Sequence, residues 1–452
     1  MGGAKTKAMT QHPLTVHKGG PLSGRAAVPG DKSLSHRALI FGALAVGETR
    51  IRGLLESEDV LATARALAAM GTEISKDEGG VWHIWGRGVG GLTDPDDILD
   101  LGNSGTGVRL LMGVAAQQPI QAIFSGDASL QNRPMGRVIE PLSQMGVHFT
   151  AREGGRLPLT VTGPQRLRAV KYELPVPSAQ VKSAILLAGL AAPGATTVIE
   201  PIPTRDHTER MAQAFGASVD VTEEDGHRVI RVFGQKELSP SDVTIAADPS
   251  SAAFVIVAAL ITPGSDVTVP GVLTNPTRLG FVETLTEMGG EIELTNKRDM
   301  AGEPIADIRV RASSLRGIDV PADRAASMID EYPALSIAAA FAEGETKMLG
   351  LGELRIKESD RLGAIASGLK ANGVQTAEGV DSLTVRGCGG SIPGGGTAQT
   401  HLDHRIAMAF LIAGFASDNP VTVDDGSMIA TSFPNFLEVM AGLGVQLEGA
   451  AP

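Results

Sequence analysis

The chain has 452 residues, 42% of them hydrophobic and 20% charged, which excludes a disordered or fibrous protein and allows two or three domains with real cores. Acidic residues outnumber basic ones by 51 to 39, for a net charge of −12. That balance argues against a general nucleic-acid binder, and any anionic ligand must be held by a local basic cluster. One cysteine, Cys388, excludes an intramolecular disulfide framework and a multi-thiolate metal site. With aromatics at 4%, the core must be built from Ala, Val, Ile and Leu.

The first residues, MGGAKTKAMTQHPL, contain no apolar signal core. Met1-Gly2 with Thr6 fits a myristoylation pattern short enough to match by chance. The longest apolar stretches, Ser251–Thr262 and Ile406–Ala416, are too short to span a bilayer, so a cytoplasmic location is expected.

A pair of helix patterns then recurs six times. SHRALIFGALAVG is followed by ALAAMG, ending at Gly71. GVRLLMGVAAQ is followed by PLSQMG, to Gly146, and VKSAILLAGLAAPG by MAQAFG, to Gly216. SAAFVIVAALITPG precedes TLTEMG at Gly289, YPALSIAAAFAEG precedes GLKANG at Gly373, and HRIAMAFLIAGFA precedes VMAGLG at Gly444. The closing glycines recur roughly every 70 to 85 residues, a spacing of repeated supersecondary units. Each stands where a helix C-cap is expected, with strand-like alternation after it, as in GTEISKD and GGEIELT. The first helix of each pair is apolar on all faces and belongs inside a core. Each unit therefore predicts a strand, a buried helix, a strand, an amphipathic helix and a strand pair. Crossovers of this kind make parallel strand pairs and place successive helix N-termini on one side. Three units per half predict two similar domains, with a break near Gln235–Ser241.

Polar and charged residues collect at the starts of these helices. At the buried ones stand Asp31-Lys32-Ser33, Asn103-Ser104, Ser178-Ala179-Gln180, Asp248, Asp330-Glu331 and Asp403-His404-Arg405. At the amphipathic ones stand Asp59, Arg133, Arg205-Asp206-His207, Arg278, Lys357-Glu358-Ser359-Asp360-Arg361 and Thr431-Ser432. Capping accounts for Ser, Asp and Asn. It does not account for Lys and Arg, which oppose the positive end of a helix dipole unless an anion lies between. Cations from both halves imply a polyanionic ligand in a cleft between like-charged faces. Pro29–Arg37 (PGDKSLSHR) resembles a phosphate loop but is not a P-loop, because Asp31 replaces the Gly before Lys32. Gly102–Gly107 (GNSGTG) can bring backbone amides close to an anion, whereas Gly86–Gly91 (GRGVGG) opens no helix and reads as a turn. His36, His207 and His404 are too scattered to form a metal set, and Cys388 in RGCGGS reads as an incidental thiol.

The ordered set PGDKSLSHR, GNSGTG, RPMG, PSAQVKSA, TRDHTE, MIDEYP, IKESDR, LDHRIAM and TSFP resembles the 5-enolpyruvylshikimate-3-phosphate synthase family, from about Leu22 to Leu447. The Ser-Ala-Gln and Thr-Ser-Phe-Pro variants are similar to its second bacterial class. The resemblance implies an inside-out α/β barrel fold with two domains of three βαβαββ repeats each, closing at a two-stranded hinge. It divides the chain into residues 30–246 and residues 1–29 with 247–452. It also implies transfer of the enolpyruvyl group of phosphoenolpyruvate to shikimate 3-phosphate with release of phosphate, in aromatic amino acid biosynthesis. No metal or organic cofactor is implied, and neither nucleic acid nor membrane is a partner. A monomer inhibited by glyphosate is expected.

Carried over motif by motif, Lys32, Ser33, Arg37, Ser178, Ala179, Gln180 and Arg205 hold shikimate 3-phosphate. Lys32, Gly105, Arg133, Gln180, Arg361 and Arg405 hold phosphoenolpyruvate, with Lys357 near both. Asp330 takes the proton of the 5-hydroxyl, Glu358 protonates the enol methylene, and Lys32 and Lys357 stabilise developing charge. Two departures stand out: Ala179 lacks a hydroxyl, and Thr431 replaces a Lys of the other class. The nearest rival, a UDP-N-acetylglucosamine enolpyruvyl transferase, is disfavoured because Ser33 follows Lys32 where that family carries Asn, and its loop cysteine has no counterpart. A non-catalytic polyanion binder is disfavoured by Asp330 and Glu358, since carboxylates weaken anion binding unless chemistry needs them.

Overall fold

The computed structural model describes residues 12–445 and 447–448, and the Met1–Gly2–Thr6 pattern lies outside the described residues. Twelve helices carry the repeat. In chain order they are α1 (Lys32–Leu44), α2 (Glu58–Ala69), α3 (Gly105–Ala115), α4 (Gly136–Gln144), α5 (Ala179–Gly189) and α6 (His207–Ala214). The second half has α7 (Pro249–Ile261), α8 (Gly280–Glu287), α9 (Tyr332–Phe341), α10 (Arg361–Ala371), α11 (His404–Ala413) and α12 (Phe436–Gly442). Odd-numbered helices lie inside: α7 is buried from Ser250 to Ile261 and α9 along its whole length. Even-numbered helices bury one side only, as α8 does with Gly280, Phe281, Thr284 and Leu285. The hydrophobic pattern and the burial agree because an all-apolar helix has no face that water would stabilise.

Each unit closes a four-stranded sheet, six in all among the described residues. In the second unit, Leu99–Asp100 runs parallel to Gln121–Ser125 across α3. Arg156–Thr162 then pairs antiparallel with Gln121–Ser125 on one side and with His148–Arg152 on the other. Two hydrophobic cores result, one around Phe41, Leu111 and Ile185, the other around Phe254, Ile337 and Phe410. With helices inside and sheets outside, this is an inside-out α/β fold of two domains.

Three units borrow strands from distant sequence. Leu14–Val16 pairs with Val421–Val423 and Leu447–Glu448, and Ser23–Arg25 runs parallel to Asp266–Thr268. Val243–Thr244 runs parallel to Ile51–Arg52 in the first sheet. This places the passage between halves after the expected break at Gln235–Ser241. The first unit begins at its helix and lacks its own edge strand, so Val243, which is buried, fills that slot first. Two segments then run side by side between the halves: Asp31 N donates to Ala246 O (2.8 Å) and Asp248 N to Pro29 O (2.9 Å).

The six closing glycines all adopt left-handed backbone, with φ of 91° at Gly71, 100° at Gly146, 85° at Gly216, 92° at Gly289, 80° at Gly373 and 103° at Gly444. A side chain is costly in this conformation, which is why the period is written in glycine. Gly113 serves packing instead: a Cβ there would lie 2.3 Å from the Ala184 carbonyl oxygen of α5.

Candidate active site

The N-termini of all six buried helices open onto one cleft of about 370 Å³ between the halves, lined by Lys32, Gly105, Gln180, Ser250, Asp330 and Arg405 among others. Side chains cap five of these ends. Asp31 accepts from Leu34 N (2.8 Å), Ser104 from Gly107 N (3.1 Å), Ser178 from Val181 N (3.4 Å), Asp248 from Ser250 N (2.9 Å) and Asp403 from Arg405 N (3.0 Å). Six positive dipole ends with cations among them make an anion site.

The residues carried over from the family resemblance come together here. Lys32, Ser33, Arg37, Gly105, Arg133, Ser178, Ala179, Gln180, Arg205, Asp330, Lys357, Glu358 and Arg405 line the cleft. Arg361 lies directly beneath and is 1% exposed; it bonds to Glu358, to Asp330 Oδ1 (3.3 Å) and to Asp403 Oδ2 (2.8 Å). The expectation of like charges facing across the cleft is corrected in one respect. Asp330 stands between them, with Arg205 of the first half at 2.9 Å and Lys357 of the second at 3.7 Å. Arg405 Nη1 donates to the Asp330 carbonyl (3.3 Å). The anion-binding cations are thus partly compensated by the protein's own carboxylates.

Burial alone would raise the Asp330 carboxyl, but Lys357, Arg405, Arg205 and Arg361 more than reverse it and hold it well below the usual carboxylate range. Burial likewise opposes ionisation of Glu358, and Arg361, Arg133 and Lys32, with His404 beside them, override it and hold that carboxyl low too. Both carboxyls are thus held towards the ionised form. Arg37 is committed to the protein through Thr208 Oγ1 and Ser183 Oγ (2.7 Å each) and Ser33 O (3.0 Å).

Several neighbours escape a reading by sequence. Asp59 Oδ2 accepts from Lys32 Nζ at 2.6 Å, and no local signal pairs residues 27 positions apart. Arg109 lines the cleft one turn into α3, bonding to Gly105 O (3.1 Å) and Gln180 Oε1 (2.9 Å). A lone Arg in the apolar run GVRLLMGVA was the available signal. Arg278, grouped with the free cations by its place at a helix start, is spent: it meets Asp31 (3.0 Å), Ser250 Oγ (2.9 Å), Glu331 (3.4 Å) and Asp248 (3.5 Å). Thr431 donates to Met428 O (2.7 Å) and is not part of the cleft lining. Cys388 is exposed and also outside it. Asp206, His207 and Glu303 lie close enough to share an ion. However, Arg210 (2.9 Å) and Asn275 (2.6 Å) already occupy Asp206, and His207 already pairs with Glu303 (2.8 Å).

Residues 16–440 match the family model for EPSP synthase (3-phosphoshikimate 1-carboxyvinyltransferase). The chain is 62% identical over 441 residues to the 3-phosphoshikimate 1-carboxyvinyltransferase of Parvibaculum lavamentivorans, covering 97% of each. It superposes on EPSP synthase from Acinetobacter baumannii with a TM-score of 0.86 at 44% identity, over 97% of this chain and all of that one. An enolpyruvyl transferase of Streptomyces tendae, at TM-score 0.75 and 20% identity over 97% of this chain and 99% of that one, shares the fold. The chain therefore belongs to the EPSP synthase family.

Proposed function

We infer that the cleft transfers the enolpyruvyl group of phosphoenolpyruvate to the 5-hydroxyl of shikimate 3-phosphate, releasing phosphate in the shikimate pathway. The observation that supports this best is the placing of two half-buried carboxylates, Asp330 and Glu358, among cations of both halves at six converging helix N-termini. A pure anion binder has no use for them. In this reading Arg205, Ser178, Gln180 and the Ala179 backbone engage the acceptor with Ser33 and Arg37. Arg133, Gln180, Arg361, Arg405 and Gly105 engage the donor. Lys32 touches both substrates, and Lys357 lies near both.

Asp330 accepts the 5-hydroxyl proton as that oxygen attacks C2 of the donor, and Glu358 gives a proton to C3. Loss of phosphate from the adduct then returns the C3 proton to Glu358. Lys32 and Lys357 stabilise the charge that develops. The low pKa leaves Asp330 as the carboxylate a base must be, whereas Glu358 has to take up a proton before it can give one to C3. Substrate phosphates and carboxylate compete for the same arginines, which lifts the depression where proton transfer is needed. Glyphosate is assigned to the donor region as a competitor. Division of the chain near residues 30 and 246, a monomeric state and a cytoplasmic location belong to the same proposal.

The test is phosphate release from phosphoenolpyruvate with shikimate 3-phosphate or UDP-N-acetylglucosamine as acceptor. Turnover with the first alone is expected. Turnover with the second alone would reassign the acceptor.

A further inference from the structure

Behind the cleft, in the first half, lies a charged cluster, Lys182 with Glu200 and Glu209, whose charged groups are not part of the cleft lining. Lys182 on α5 is fully buried, and its Nζ meets Glu200 Oε2 at 2.9 Å and Glu209 Oε1 at 2.8 Å, both carboxylates being buried as well. Thr204 Oγ1 donates to Glu200, and the Thr204 carbonyl lies 3.5 Å from Lys182 Nζ. The three anchored points have different origins: the end of strand Ala195–Glu200, the loop after it, and the first turn of α6. That loop reads Pro201-Ile202-Pro203-Thr204-Arg205 and belongs to no helix or strand. Its last residue reaches across the cleft to Asp330 (2.9 Å).

Burying one ammonium and two carboxylates is expensive in desolvation, and apolar side chains of similar volume are commonly as stable or more so. Apolar neighbours are at hand, since Glu209 lines a small cavity together with Phe41, Leu186 and Val232. The cluster is therefore poorly explained by stability and better explained by position. α5 is the helix whose first residues, Ala179 and Gln180, face the same cleft. One ammonium thus fixes the Arg205 loop to the helix that carries the other half of the acceptor site.

We propose that Lys182 is a positioning residue for acceptor binding: through Glu200, Thr204 and Glu209 it sets Arg205 relative to the N-terminus of α5. The proposal rests on the acceptor-site reading given above. A positioning role for one substrate separates the kinetic constants, because Arg205, the residue the cluster sets in place, is assigned to the acceptor alone. The test is steady-state kinetics on Lys182→Met and Lys182→Arg alongside the wild type, with thermal unfolding of each. In Lys182→Met the KM for shikimate 3-phosphate is expected to rise at least about tenfold, with kcat at saturating acceptor and the KM for phosphoenolpyruvate within about threefold. Lys182→Arg should recover part of the acceptor KM.

Removing the lysine alone leaves two buried carboxylates unpaired, so Lys182→Met/Glu200→Gln/Glu209→Gln is measured too. It should fold and still show the raised acceptor KM. A folded variant with unchanged acceptor KM, or parallel loss in both substrates, overturns the proposal. Failure of both Met variants to fold makes the cluster a folding element and overturns it equally. Absence of wild-type turnover with shikimate 3-phosphate would instead sink the functional reading.

Discussion

Gly105 stands where the first turn of α3 meets two guanidinium groups. A Cβ there would lie 2.9 Å from Arg133 Nη1 and 3.0 Å from Arg109 Nη1, the far ends of flexible side chains. Gly105→Ala should therefore leave the fold intact and move the two cations. Glyphosate is longer than phosphoenolpyruvate and needs more of the room that the missing Cβ leaves. The ratio of its inhibition constant to the phosphoenolpyruvate KM should rise roughly ten- to a hundredfold in the variant, as expected when most of an overpacking cost of about 1–3 kcal/mol falls on one ligand. An unchanged ratio would place the discriminating contact elsewhere. Asp330 supports a second expectation. Asp330→Asn keeps the shape but cannot take up the hydroxyl proton, so kcat should fall by orders of magnitude. Because the substitution also removes the anion beside Arg205, Lys357 and Arg361, acceptor binding measured by calorimetry should hold or tighten. Near-normal turnover would remove Asp330 from the mechanism.

Among the elements, the repeat was legible because each unit is written in the same physical terms: an all-apolar helix, an amphipathic one and a left-handed glycine. Gly146 has φ 100°, and the nearest atoms to an added Cβ are those of Pro164 at 3.8 Å, so Gly146→Ala adds backbone strain without a clash. It should cost on the order of 1–2 kcal/mol, read as a shifted urea midpoint, with kcat and both KM values unchanged. A midpoint equal to wild type would mean that the turn relaxes without cost. Arg133 was less legible. Its sequence position suggests the start of α4, yet it ends a short separate helix, Ala128–Asn132, capped by Asp127. Asp127 is an ordinary helix cap by sequence, and only the course of the loop shows which helix it starts.

Across the whole molecule, two buried histidines couple stability to pH. Burial pushes His36 and His404 down to about 3 against an ordinary value of 6.5. Their folded pKa is depressed, so the unfolded chain binds more protons between about pH 3 and 6.5, and stability falls as pH drops through that window. Each contributes at most about 1.4 kcal/mol per pH unit. Asp248 acts in the opposite sense below about pH 6, because burial and Asp31 raise it to about 6 and it takes up a proton in the folded state. The depressed carboxylates Asp330 and Glu358 lose their contribution only as pH falls below the ordinary carboxylate range. Urea unfolding at pH 7.5 and 5.5 should show lower stability at 5.5. His36→Gln, which keeps a polar group near Thr63 Oγ1 (2.8 Å from the ring), should reduce that difference. Equal stability at both values would mean that the rings are not held neutral.

Sequence alone determined the repeat, the buried helices and the gathering of cations at helix starts, because these follow from short-range periodicity and from motifs read in order. Lys32, Arg205 and Arg405 were visible as cations where capping has no use for them. Tertiary structure decided how the charges are shared. Only folding brings Asp59 to Lys32, sets Asp330 between Arg205 and Lys357, and spends Arg278 on three carboxylates. It also decided that strands Leu14–Val16 and Val243–Thr244 complete distant sheets. Charge pairing and strand exchange act through space between residues tens to hundreds apart, and nothing in local composition records such distances.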